Sequence, residues 1–190
     1  AAPHDQLALL LSSYSNDYNS YMPNNVSTNS LSALSWPWLL KKGEYLSNTM
    51  LFHCTASLSS TSIYCLEFRK SGGSVSWTYT YANYGINAVG VTDDWFASGG
   101  MVNPQDKITP ARPGSISNPS RKVLLADSQS SANMSAPFFI IDANGMNGKI
   151  ISRHSGLANI AWADGHASSF RNAINLQYQP LLTDHFRRDK

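Results

Sequence analysis

Charge is scarce in this chain. Only 14% of its 190 residues are Asp, Glu, Lys or Arg, and the formal net charge is +2. Ser, Asn, Thr and Tyr fill the gap, giving a polar but weakly charged surface of the kind common in secreted proteins. So small a cationic surplus argues against non-specific nucleic-acid binding, which needs several clustered phosphate contacts. The dense basic patch, Arg187-Arg188-Asp189-Lys190, reads as a solvated tail. No apolar run reaches the ~18 residues of a membrane span, and no signal peptide is recognisable. The chain opens on Ala1-Ala2-Pro3-His4, already inside an amphipathic pattern, which reads as a mature or truncated start.

Cysteine is nearly absent. Cys54 and Cys65 lie eleven positions apart, and without a C-x2-C pair a structural zinc ribbon is not expected. Two readings of the pair stand side by side. One is a disulfide closing a small loop in an oxidising compartment, adding about 2–3 kcal/mol by loop entropy. The other is two reduced, buried thiols. The secreted-looking composition favours the disulfide.

What is present suffices for one domain with a proper core, over residues 1–190. Leu7, Leu10, Leu11, Tyr14, Tyr18 and Tyr21 recur at three- and four-residue steps and predict a helix over 5–22, capped by Asp5 and stopped by Pro23. Residues 24–35 read as a loop, and Trp36–Lys42 as a short helix ended by Gly43. A β-rich region follows over 50–170. Its expected strands are Met50–Cys54, Ile63–Arg69, Val75–Tyr81, Lys122–Asp127, Phe138–Asp142 and Lys149–Ser152, with a Gly/Pro-rich irregular stretch over 83–120. The last hairpin pairs Asn159–Ala163 with His166–Phe170 across Asp164-Gly165. Asp-Gly there predicts a type I′ turn, with Ala163 opposite His166 and Trp162 opposite Ala167. Residues 171–190 form a C-terminal tail. The fold class expected is α+β.

Four features could carry chemistry. His154, Asp164 and His166 are a legal zinc or iron set if a loop returns His154 to the hairpin tip. The simpler reading is structural, since a turn demands Asp164 and His154 can fix the loop by a hydrogen bond. Asp142 and Asn144 open an Asp142–Gly148 segment resembling a calcium loop, but Met146 takes the fifth place and Arg153 the twelfth, so a polar turn is the better reading. No G-x-S-x-G elbow supports serine hydrolysis. Trp36, Trp38, Trp77, Trp95 and Trp162 could line a sugar-binding face, although aromatics on alternate strand positions are more often core.

The most informative run is Arg153-His154-Ser155-Gly156 followed by Ala158 to His166. Here a histidine is separated by nine residues from Asp164-Gly165. It resembles the C-terminal H-x9-D-G signature of a bacterial prepilin-like family, similar to the pseudopilins of type II secretion. Other segments resemble that family in the same order. Leu7 to Pro23 is similar to the end of its first helix. Phe52-His53-Cys54 resembles F-x-C-P, with Thr55 where proline is usual. Tyr84-Gly85-Ile86-Asn87 resembles S-Y-G-x-N, and Ile116 to Ser128 resembles I-x-x-P-S-x-x-x-L-x-A-D-S. His154, Asn159, Asp164, Gly165 and His166 are the signature positions.

The resemblance implies a pilin-like architecture, with an N-terminal helix packed on an antiparallel β-sheet head with long irregular loops. It implies a non-enzymatic envelope subunit, periplasmic or at the cell surface, anchored in the inner membrane by an apolar helix half that this sequence does not contain. Partners would be other pilin-like subunits and the secretion machinery, with no nucleic acid. No cofactor is expected, although calcium stays open because the major pseudopilin binds it in its head. The alternatives are a secreted carbohydrate- or ligand-binding module and a metal-dependent enzyme using His154, Asp164 and His166.

Overall fold

The computed structural model describes residues 3–20, 22–23, 36–56, 70–71, 74–75, 82–87, 112–131, 136–141 and 148–173. Helix α1 spans Pro3–Asp17. Pro3 opens it with φ already set for a helix, and Asp5 lies in the first turn, where the helix dipole favours an acid. The helix predicted to run to residue 22 stops at Asp17, because Asn19 and Ser20 take left-handed φ values of 53° and 64°. Short polar residues carry that conformation most cheaply. Helix α2 spans Trp36–Lys42 as expected. The left-handed residue after it is Glu44, φ 60°, rather than Gly43.

The strand expected over Met50–Cys54 is instead a 3-10 turn, Thr49–Phe52. Asn48 caps it by accepting the Met50 N–H at 2.9 Å, and the His53 N–H closes it onto the Met50 carbonyl at 2.9 Å. Asparagine offers the backbone this local alternative to a strand.

Strands β1 (Lys70–Ser71) and β2 (Ser74–Val75) form a small antiparallel ladder, and the remainder of that expected hairpin lies outside the described residues. The main sheet holds β3 (Tyr84–Asn87), β4 (Val123–Ser130), β5 (Ile140–Ile141), β6 (Gly148–Ile150), β7 (Leu157–Trp162) and β8 (Ala167–Arg171). Its order is β5-β3-β4-β7-β8, with β6 pairing the end of β4. The sheet is mixed rather than antiparallel, because β3 runs parallel to β5. β3 itself falls inside the stretch expected to be irregular. Gly85 permits the close pairing, since a Cβ there would meet the Ile140 carbonyl carbon at 2.8 Å.

Both faces of the sheet are apolar. Leu7, Leu11 and Tyr14 of α1 pack with Trp36, Leu40, Phe52, Ile86, Leu125 and Ile140, while Val123, Ala126, Ile141, Ile150, Ile160 and Trp162 form a second cluster. A register shift in β4 between Val123 and Leu125 breaks the strand alternation. Leu124 and Leu125 therefore both join the α1 cluster, while Val123 and Ala126 join the other. The chain is thus α+β, a short N-terminal helix on a six-stranded mixed sheet.

The terminal hairpin is shifted by one residue from the predicted register. Ala161 pairs with Ala167, and the Trp162 N–H donates to the His166 carbonyl at 2.9 Å. Ala163-Asp164-Gly165 makes a three-residue loop with only Gly165 at positive φ, 92°. The Gly165 N–H reaches the Trp162 carbonyl at 2.9 Å. That is the turn-plus-left-handed-glycine solution, not type I′. The type I′ pattern lies at the other end of β7. Ser155 and Gly156 have φ values of 54° and 82°, and His154 and Leu157 exchange N–H···O bonds of 2.9 and 3.0 Å.

Candidate functional site

The centre of the candidate site is Asp127, an acid at the end of the apolar run Val123-Leu124-Leu125-Ala126. Its residue exposure is 0%. A carboxylate so placed must find partners, because burying an uncompensated charge is costly. Three residues from two segments supply them. From β7, the Asn159 N–H donates to Oδ2 at 2.7 Å. From the turn before β7, His154 Nε2 lies 3.3 Å from Oδ2. Arg153 Nε faces Oδ1 at 3.8 Å, beyond hydrogen-bond reach, while its Nη2 donates to the Ser128 carbonyl. Among the described residues, Oδ1 has no hydrogen-bond donor.

Cys54 closes the fourth side. Its Sγ lies 3.4 Å from the same Nε2 of His154. Its N–H donates to Asn83 Oδ1 at 2.8 Å, the Asn83 N–H donates to the Phe52 carbonyl at 2.9 Å, and the Ser128 N–H donates to the Asn83 carbonyl at 2.9 Å. Asn83 thus fastens the Cys54 segment to β4. The Tyr84 side chain lies beside the thiol and Asp127.

Burial dominates the electrostatics. It pushes the Asp127 carboxyl above its ordinary value, against the Asn159 N–H, Arg153 and His154, which favour the charged form. Tyr84 is raised far above the usual phenol by burial, with Cys54 and Asp127 adding to it. His4 of α1 is lowered by burial, opposed by Asp5 and Asp127.

This arrangement does not suit nucleophilic catalysis. A Cys–His–Asp relay needs the thiol on one ring nitrogen and the carboxylate on the other. Here both lie on Nε2, which holds at most one hydrogen.

The expected set of His154, Asp164 and His166 is not assembled. Among the described residues, the grouped potential metal ligands are Cys54, Asp127 and His154. Asp164 and His166 sit together at the exposed hairpin tip, 2.5 Å apart. There Asp164 Oδ1 accepts the His166 N–H at 3.1 Å, and the imidazole stacks on Trp162 with centroids 5.6 Å apart. The opposite end of β7 carries His154, so one strand separates the two histidines. Asn159 serves Asp127 through its backbone; its side chain accepts from Ser169 Oγ at 2.9 Å.

Cys54 is a free, buried thiol, and Cys65, the other half of the expected disulfide, lies outside the described residues. Asp142 and Asn144 of the calcium-like segment lie outside them too, as do Trp77 and Trp95. Trp36 is buried and donates to the Phe139 carbonyl at 2.7 Å, and Trp162 is also buried, so neither offers an open sugar platform.

Asp127 is the residue that sequence reasoning missed as a site residue. A lone acid inside Val-Leu-Leu-Ala-Asp-Ser is itself a signal, since buried charge is the informative exception in a strand.

No protein-family model matches this chain, and no curated protein or solved structure matches it.

Proposed function

We propose that this chain is a non-enzymatic, pilin-like subunit of the bacterial envelope, belonging to type II secretion or a related filament system and placed in the periplasm or at the cell surface. One observation carries the reading. Residues from four of the segments that resemble the prepilin-like family meet at Asp127 of β4: Cys54, Tyr84, Asp127 itself, and Arg153 with His154 and Asn159. Residues that co-occur to close a knot inside a head need no substrate to explain them.

The N-terminal helix adds support. It packs Leu7, Leu11 and Tyr14 on the sheet and leaves Leu9 68% exposed, an apolar point available to a neighbouring subunit. No helix among the described residues is long and apolar enough to cross a membrane.

The test is location. Antiserum against the chain, applied to fractionated source cells, is expected to find it in sheared surface filaments or the inner-membrane fraction. Recovery in the cytosol, free of membrane and filament, would overturn the proposal.

A further inference from the structure

We propose that Cys54, Asp127 and His154 form a binding site for a zinc-class divalent cation, held inside the head beneath α1.

Three lone-pair donors of different kinds converge on one point: a sulfur, an imidazole nitrogen and a carboxylate oxygen, all within 4.8 Å of one another. The two measured edges are 3.4 Å for Sγ to Nε2 and 3.3 Å for Nε2 to Oδ2. With metal–sulfur bonds of about 2.3 Å and metal–nitrogen or metal–oxygen bonds of about 2.0–2.2 Å, the edges of a tetrahedron are about 3.2–3.6 Å long. Both lie within about 0.2 Å of the edges those bond lengths give, and the third edge, Sγ to Oδ2, is under 4.8 Å.

Without a cation, the donors compete. Nε2 holds one hydrogen at most, yet it faces both a carboxylate oxygen and a sulfur. A cation at their centre uses all three lone pairs at once. Thiolate and carboxylate together carry two negative charges, which match a divalent ion.

The outer shell is also in place. The Asn159 N–H orients Oδ2, Arg153 Nε faces Oδ1 at 3.8 Å, and Tyr84 lies beside the sulfur. Such contacts hold metal ligands in position. Asp127 and Cys54 are buried, whereas the His154 side chain is 32% exposed, so an ion would enter past His154. On binding, the Cys54 proton leaves to solvent together with any proton on Asp127, and the imidazole carries its hydrogen on Nδ1, leaving Nε2 for the cation.

The site is separable from the envelope proposal, since cell fractionation and metal titration of purified protein read different things. The probe is Co(II), added to the reduced, chelator-stripped chain. The expected result is 1:1 uptake with a thiolate-to-cobalt charge-transfer band and the strong visible bands of a tetrahedral ion, all displaced by Zn(II). The band should survive Cys65→Ser and vanish in Cys54→Ser. Tyr84→Phe should weaken uptake by about 10–100-fold, as outer-shell losses do. Circular dichroism checks that each variant folds. Should Cys54→Ser not fold, alkylation of Cys54 in the Cys65→Ser chain decides, with Zn(II) expected to slow it. Absence of stoichiometric uptake by the folded wild type would overturn the site. A band that persists without Cys54, one that is lost with Cys65, or alkylation unchanged by Zn(II) would do so equally.

Discussion

At the scale of single residues, Asp127 and His4 are the described acid and histidine whose ionisation folding alters. His4 is buried on α1, with Nε2 3.5 Å from Asp5 Oδ1 and no partner for Nδ1. The charged groups that act on it are Asp5, Asp127 and His154. Its folded pKa lies below the ordinary 6.5, so the unfolded chain takes up the proton first as pH falls. Its contribution to stability is therefore present above pH 6.5 and lost as pH drops from there through the lowered folded value. A His4→Leu chain should show a flatter fall than wild type in urea melts across that window; identical profiles would contradict the assignment. Asp127 has the opposite sign. Its folded pKa is raised, so its own contribution falls as pH rises from the ordinary carboxyl value through the raised one. The sequence shows half of this cluster. An acid within an apolar run and a histidine that no turn requires are both visible, but Asp127 and His154 come from distant parts of the chain. Nothing in local spacing pairs them, and Arg153 and Cys54 join through the same long-range folding.

At the scale of elements, turns decide what periodicity cannot. Apolar runs bounded by turn residues mark the strands around Val123–Asp127 and Asn159–Ala163, because a sheet covered on both faces takes apolar side chains at successive positions. Their ends and register depend on single backbone conformations instead. Asn19 and Ser20 end α1 early, Asn48 winds Thr49–Phe52 into a 3-10 turn, and the Asp-Gly pair admits either a two- or a three-residue loop. The nine-residue spacing of the signature then acquires a plain meaning: it is β7 with a tight turn at each end, Ser155-Gly156 before it and Ala163-Asp164-Gly165 after it. Gly165 has open space where a Cβ would stand, so Gly165→Ala tests the backbone alone. We expect a loss of about 1 kcal/mol, because alanine is disfavoured at φ 92°. A melting temperature equal to wild type would contradict the left-handed assignment.

At the scale of the whole molecule, β4 organises the head. It pairs with β3, β6 and β7, and its bulge turns two successive leucines toward α1. Leu125 is fully buried at that contact, so Leu125→Ala should cost about 2–5 kcal/mol in chemical denaturation. A loss below 1 kcal/mol would show that the α1 cluster does not hold the sheet. Leu9 lies on the other side of the helix. Leu9→Ser should change folding stability by no more than about 0.5 kcal/mol, yet it should abolish cross-linking to neighbouring subunits in cells if the envelope proposal holds. Retained cross-linking would remove Leu9 from the contact. Class and helix packing are legible in the sequence through the Leu7, Leu11 and Tyr14 stripe. The parallel pairing of β3 with β5 is not, because it joins two short strands from distant parts of the chain with no turn between them to signal it. The central claim is that the signature histidine works by closing on the buried acid of β4. A double-mutant cycle in urea unfolding, with Asp127→Asn and His154→Gln singly and together, measures that coupling. We predict an interaction energy of about 1–3 kcal/mol, the range for residues in one buried network. Additive losses, agreeing within about 0.5 kcal/mol, would contradict the claim.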